Sequence, residues 1–212
     1  MGDFMDKMKT GTTTVGLVCK DGIVLAADKR TTYGGQIVVR KDSEKVTQIT
    51  DTMAITTAGS VSDIQMLIKL LKAELKLRGI RNGRSNTVKE TANLLSRIAY
   101  DSARQYVPSM AQVLLGGYDS KGPQLSVIDV DGAVLEFKDY FTTGSGSPMV
   151  LGVLESNFKD GMTIKEGEDL AVRAVSAAMQ RDTASGNGVD VMVITKEGVR
   201  KTIQKKVSGN LV

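Results

Sequence analysis

Thr12, Thr13 and Thr14 stand in a row after Gly11, near the start of a 212-residue sequence that contains no histidine. The two facts bear on the same chemistry. Without an imidazole, Ser-His-Asp and Cys-His hydrolysis are excluded, together with nearly every zinc site of hydrolytic type, because each needs histidine as base or ligand. A hydrolase built from this sequence must find its base elsewhere. A chain cut after Gly11 would carry a hydroxyl and a free α-amine on one residue, Thr12, and an α-amine of pKa about 7.7 to 8 can accept a proton near neutrality. Read by propensity alone, three threonines suit the opening of a β-strand equally well.

The elements that would hold such a residue can be read along the chain. Asp21-Gly22 separates two β-rich runs, 12–20 and 23–28, and is the usual hairpin signal because both positions tolerate positive φ. Further strand-like runs lie at 36–40, 45–49 and 53–58. Ile64, Leu67, Ile68, Leu71 and Leu75 then recur at helical spacing, with Ser62 or Asp63 as N-cap and Gly79 as the stop. Thr87 to Glu90 form a capping box that opens a second helix, with Ala92, Leu95, Ile98 and Ala99 on one face. Strands return at 112–118, 124–130 and 133–137, the last two joined by Asp131-Gly132. Helical patterns follow Pro148 and run again from 166 to 181, where Leu170, Ala174, Val175 and Ala178 line a face behind the Thr163–Glu166 capping box. Strands at 189–195 and 199–203 close the chain around Glu197-Gly198. Hairpins dominate and no βαβ alternation demands a parallel sheet, so the expected class is α+β: a four-layer αββα sandwich of two mostly antiparallel sheets flanked by helix pairs.

Composition narrows the function. Apolar residues are 41% and charged residues 25%, which fits a globular protein of one domain and neither a disordered chain nor a membrane protein. The net charge is +4, and basic residues gather at Lys69, Lys72, Lys76, Arg78, Arg81 and Arg84. Aromatics are only 4% and none lies in that run, so it reads as a solvated helix face and nucleic acid is not an expected partner. Cys19 is the single cysteine, which precludes an intrachain disulfide and suits a reducing cytoplasm. The first eleven residues hold no apolar stretch long enough for a signal peptide or a span, so no membrane association is expected.

Gly11-Thr12-Thr13-Thr14-Val15-Gly16 resembles the processing site and mature start of archaeal-type proteasome β-subunits, which are threonine proteases of the N-terminal nucleophile type. The likeness continues in family order. It takes in residues 26–32 (AADKRTT), 44–46 (EKV), 57–61 (TAGSV), 143–148 (TGSGSP) and 180–186 (QRDTASG). The resemblance implies a propeptide, residues 1–11, removed by self-cleavage, and a hydrolase domain over residues 12–212. It makes Thr12 the nucleophile and sets Lys45 against its hydroxyl, with Asp28 holding the Lys45 ammonium; the positive charge would ease loss of the proton. The Gly59 N–H would form the oxyanion hole, Asp182 and Ser185 would orient the α-amine, and Ser145 would help pass the proton. Thr31, Thr32 and Ser60 fall at substrate-groove positions, and Thr57 and Val61 at the floor and wall of a pocket expected to prefer apolar side chains. The implied substrate is unfolded polypeptide. The implied partners are a homo-heptameric β-ring stacked on a second β-ring, capping rings of α-subunits and an ATP-dependent unfoldase. A cytoplasmic location, no cofactor and no metal complete the expectation, and a lone subunit is expected to be inactive until assembly.

Without the resemblance each feature has a plainer reading. Asp28 and Lys45 would be a surface ion pair, Gly59 a strand-to-helix turn, and 181–186 a polar helix end before a glycine cap. Two departures are mild: Thr183 replaces the more usual serine and Ser62 a common glycine. The segment before Lys45 is one residue longer than the resemblance implies, so no pocket residue is assigned between Gly35 and Glu44. A bacterial two-ring protease also begins with threonines but lacks the stretch from Asp182 to Gly186. A structural ring subunit that lost its site is the non-enzymatic alternative, and fluorogenic peptide cleavage separates the two.

Overall fold

Thr14–Cys19 (β1) and Gly22–Asp28 (β2) form the first hairpin. Cys19 pairs with Gly22, so the turn residues are Lys20 and Asp21, one position earlier than the Asp-Gly signal suggests. The glycine serves a different need: a Cβ at Gly22 would run into the carbonyl oxygen of Ile194 on the neighbouring strand. The computed structural model describes residues 11–206. Of the expected propeptide only Gly11 falls within them.

Further strands are Thr31–Tyr33 (β3), Ile37–Arg40 (β4), Val46–Thr50 (β5), Met53–Gly59 (β6), Ala111–Asp119 (β7), Gly122–Ile128 (β8), Val134–Phe137 (β9), Tyr140–Thr143 (β10), Gly188–Thr195 (β11) and Gly198–Lys206 (β12). The helices among the described residues are Val61–Asn82 (α1), Val88–Ala103 (α2), Ser147–Asn157 (α3) and Ile164–Met179 (α4). Two five-stranded antiparallel sheets result, ordered β10-β1-β2-β11-β12 and β5-β6-β7-β8-β9, with β3 and β4 as a separate ribbon.

The sheets face each other. Ile23, Leu25 and Ala27 of β2 and Met192 and Ile194 of β11 meet Val46, Ala54 and Leu125 of the other sheet. The alternate residues Val24, Ala26, Val191 and Val193 turn outward onto α3 and α4, where Val150, Leu154, Leu170, Ala174 and Val175 cover them. The far face of the second sheet packs Ile55, Val113 and Leu115 against Leu67, Leu71 and Leu75 of α1 and Ala92 and Leu95 of α2. The order is helices, sheet, sheet, helices, the expected α+β sandwich. Burial on both faces explains the unbroken apolar runs of β2 and β11.

Both capping boxes form, at Thr87–Glu90 and Thr163–Glu166. The ends of α1 differ from expectation. Its N-cap is Ser60, two residues early, because the Ser60 N–H is tied to Met110 O on the adjoining segment and the helix starts there. Its C-cap is Gly83, at φ 62°, and the helix runs on through Gly79. An interior glycine costs only about 1 kcal/mol, and the left-handed stop is supplied further on. The basic run of α1 is exposed except for half-buried Arg78. No helix of the described residues is long and apolar enough to cross a membrane.

Cys19 lies buried beneath α4. Burial, then the charges of Glu166 and Glu168, push its thiol up to about 12. Only the thiolate is nucleophilic, so iodoacetamide at pH 8 is expected to leave native Cys19 unmodified and to alkylate it fully in denaturant, as read by intact mass.

Candidate active site

Strand pairing brings the threonines to their place. Thr14 is matched by Ala27 on one side and Thr143 on the other, so Thr13 and Thr12 run on between the end of β2 and the turn after β10. Thr13 N donates to Asp28 Oδ1 at 2.9 Å, and Asp28 N returns a bond to Thr13 O at 3.1 Å. Asp28 is fully buried. Its Oδ1 also accepts from Lys45 Nζ at 2.8 Å, and its Oδ2 accepts from the N–H groups of Arg30 and Gly186, each at 2.9 Å.

Lys45 immediately precedes β5 on the opposite sheet and is itself buried. Burial lowers its pKa from the ordinary lysine value, and the charge and hydrogen bond of Asp28 oppose that shift. Lys45 Nζ lies 3.3 Å from Gly11 O, and Thr12 Oγ1 donates to the same oxygen at 2.7 Å. Lys45 Nζ and the Thr12 hydroxyl thus converge on the carbonyl that precedes Thr12.

A second carboxylate lies on the other side. Asp182 Oδ2 accepts from Ser145 Oγ and Ser185 Oγ, each at 2.6 Å, and Asp182 Oδ1 accepts from Ala184 N at 3.1 Å. Ser145 Oγ in turn accepts from Thr12 N at 3.3 Å. The nitrogen that would become an amine after cleavage is already engaged by this cluster. Gly59, at φ 134°, closes β6 just before the N-terminus of α1, whose dipole adds positive potential there. A Cβ at Gly59 would collide with Met110 O, so only glycine fits.

The groove residues fall together as well. A cleft of about 750 Å³ is bordered by Thr12, Lys45 and Gly59 and also by Thr31, Thr32, Thr57 and Val61. Thr32 Oγ1 accepts from Gly11 N at 3.2 Å, which ties the residue ahead of Thr12 to one wall of the cleft. Every residue singled out in the sequence for catalysis or the groove thus lies in one contiguous site. Three participants were not anticipated: the backbone donors of Arg30 and Gly186, and the side chain of Thr13, whose Oγ1 is 2.7 Å from Ser185 Oγ. The available signals were that Thr13 belongs to the triple threonine and that Arg30 and Gly186 lie within the motif stretches 26–32 and 180–186.

A model of a family described as proteasome subunit matches residues 8–194. The chain belongs to the proteasome subunit family. Among relatives, the proteasome subunit beta of Archaeoglobus profundus is 46% identical over 207 residues, 98% of this chain and 95% of that protein. The proteasome subunit beta of Methanosarcina thermophila is 46% identical over 202 residues, covering 95% of each. That of Ferroglobus placidus is 47% identical over 192 residues, 91% of this chain and 90% of the relative. The likeness of this chain to these relatives thus spans both sheets and both carboxylate clusters.

The ion pair at its centre makes a stability prediction. Asp28→Ala leaves Lys45 buried without its counterion and is expected to cost about 3 to 5 kcal/mol. The double variant Asp28→Ala/Lys45→Ala removes both charges and should recover part of that loss. Chemical denaturation of the isolated subunit measures both; an unchanged midpoint for Asp28→Ala would contradict the coupling.

Proposed function

We propose that the chain is a threonine endopeptidase subunit of a core proteasome, made as a precursor that cleaves itself between Gly11 and Thr12. The observation that carries this is the convergence of Thr12 Oγ1 and Lys45 Nζ on Gly11 O, at 2.7 and 3.3 Å. In processing, the Thr12 oxygen attacks the Gly11 carbonyl carbon and passes its proton to a solvent water, while Lys45 Nζ, 3.3 Å from Gly11 O, and the Gly59 N–H stabilise the developing oxyanion. The Gly11–Thr12 C–N bond then breaks as the Thr12 nitrogen takes a proton, leaving an ester that water hydrolyses. Residues 1–11 depart with a new carboxylate, and Thr12 keeps a free amine.

In the mature enzyme that amine serves as general base for the hydroxyl of the same residue, which suits a chain without histidine. The hydroxyl attacks the scissile carbonyl of a bound polypeptide, the acyl-enzyme forms with loss of the amine product, and water releases the second product. Lys45, held by Asp28, biases the hydroxyl proton by its charge; Asp182 and Ser185 orient the amine, and Ser145 passes the proton between them. Thr31 and Thr32 pair with substrate backbone. Thr57 and Val61 shape a pocket for apolar side chains, and the charges around it are already paired: Arg40 with Asp42, Glu44 with Lys201 and Lys45 with Asp28, each at 2.8 Å.

The assembly proposed is a homo-heptameric β-ring stacked on a second one, capped by α-subunit rings and supplied by an ATP-dependent unfoldase in the cytoplasm. The relatives named proteasome subunit beta support this reading, and a closed chamber suits unfolded polypeptide as substrate.

Lys45 gives the test. Lys45→Ala in ring-assembled particles is expected to lower both processing and cleavage of an apolar fluorogenic peptide by about 100- to 10,000-fold. Lys45→Arg keeps the charge but replaces a compact ammonium with a planar fork, and should remain nearly as impaired. Ring assembly is checked by size exclusion. Near-normal turnover by Lys45→Ala particles would end the mechanism, and faster cleavage of acidic or basic peptides would end the pocket assignment.

A further inference from the structure

Thr13 is fully buried and does not border the cleft, yet it is bonded to both carboxylate clusters. Its N–H donates to Asp28 Oδ1 at 2.9 Å, the oxygen shared with Lys45. Its Oγ1 lies 2.7 Å from Ser185 Oγ. Ser185 has one hydroxyl proton and directs it to Asp182 at 2.6 Å, so in this pair Thr13 donates and Ser185 accepts. Hydrogen bonds therefore run from Thr13 Oγ1 to Ser185 and on to Asp182. From the other side they run from Thr12 N to Ser145 and on to the same Asp182 oxygen. The two arms make a ring that leaves the nucleophilic residue and returns to its neighbour.

The space around the hydroxyl is also shaped for it. A Cβ on Gly146 would occupy the position of Thr13 Oγ1. The bonds that Thr13 makes to Asp28 and Ser185 do not involve Gly11, so they survive removal of the leader, whereas the Thr12 nitrogen changes from peptide N–H to amine.

We propose that Thr13 is a positioning residue for both processing and peptide cleavage: its hydroxyl fixes Ser185, and through it the Asp182 group that orients the Thr12 nitrogen. The inference rests on the reading of Thr12 as nucleophile. It makes the hydroxyl, rather than the methyl or the volume, the part of Thr13 that matters.

The test compares ring-assembled Thr13→Ser, Thr13→Val, Thr13→Ala, Ser185→Ala and Thr13→Val/Ser185→Ala particles for precursor mass and for kcat and KM on an apolar fluorogenic peptide, with Thr12→Ala as control. Thr13→Ser is expected to retain most of the wild-type kcat. Thr13→Val and Thr13→Ala should lose roughly 10- to 100-fold in kcat, the effect of removing a hydrogen bond or two from a charged network, with KM little changed. The double variant should lose no more than Ser185→Ala alone, because both act through one bond. Good activity in Thr13→Val with poor activity in Thr13→Ser would overturn the inference in favour of a packing role, as would multiplicative losses in the double variant or a change confined to KM. If the valine variant does not assemble, equal rates for Thr13→Ser and Thr13→Ala overturn it. Cleavage retained by Thr12→Ala particles overturns the nucleophile assignment itself, and this inference with it.

Discussion

The Asp28 carboxylate accepts from Thr13 N, Arg30 N, Gly186 N and Lys45 Nζ, all between 2.8 and 2.9 Å. These donors come from the residue ahead of β1, from the link between β2 and β3, from the loop ahead of β11, and from the residue that leads into β5 on the second sheet. A buried carboxylate stripped of donors would be costly, so each segment is held where the carboxylate needs it. The segment that carries Thr12 and Thr13, the lysine and the loop that carries Ser185 are thereby fixed against one another. Moving any one of them alone breaks a charge-assisted bond.

One residue past the end of β2, the same physics operates again. Lys29 and Asp190 form an almost fully buried ion pair at 2.6 Å, and Lys201 stands 3.8 Å from Asp190 and 2.8 Å from Glu44, the neighbour of Lys45. Ser43 N donates to Lys29 O at 2.9 Å, so the loop that leads into Lys45 is anchored at both its backbone and its charges. Buried pairs contribute little net stability over an apolar alternative, but removing one partner is severe. Two such pairs beside one site trade stability for a fixed geometry, which suits catalysis by positioned groups.

Much of this was legible in the sequence. The hairpin glycines, the two capping boxes and the 3.6-residue periods located most elements, because those signals are local. β3 and β10 escaped notice: Thr31–Tyr33 and Tyr140–Thr143 are short, and their strand character comes from pairing with Ile37–Arg40 and with β1. Gly79 reads as the end of α1 although the left-handed residue is Gly83, since a glycine supports a helical or a left-handed backbone and its neighbours decide between them. In the site, Thr12, Asp28, Lys45, Asp182 and Ser185 were singled out by the likeness of their motifs to a family, since each side chain alone has a plainer reading. Thr13 was not, since its hydroxyl becomes informative only when Ser185, 172 positions away, is brought beside it. The backbone donors of Arg30 and Gly186 carry no side-chain signature at all.

The central claim is that the hydroxyl beside the Gly11 carbonyl cuts its own chain and frees an amine on the same residue. Amino-terminal sequencing of the assembled protein, joined to its intact mass, tests this most directly. The account predicts a start of Thr-Thr-Thr-Val-Gly and a mass lacking residues 1–11. An active assembly that retains Met1 to Gly11, or that begins at any residue other than Thr12, would contradict it.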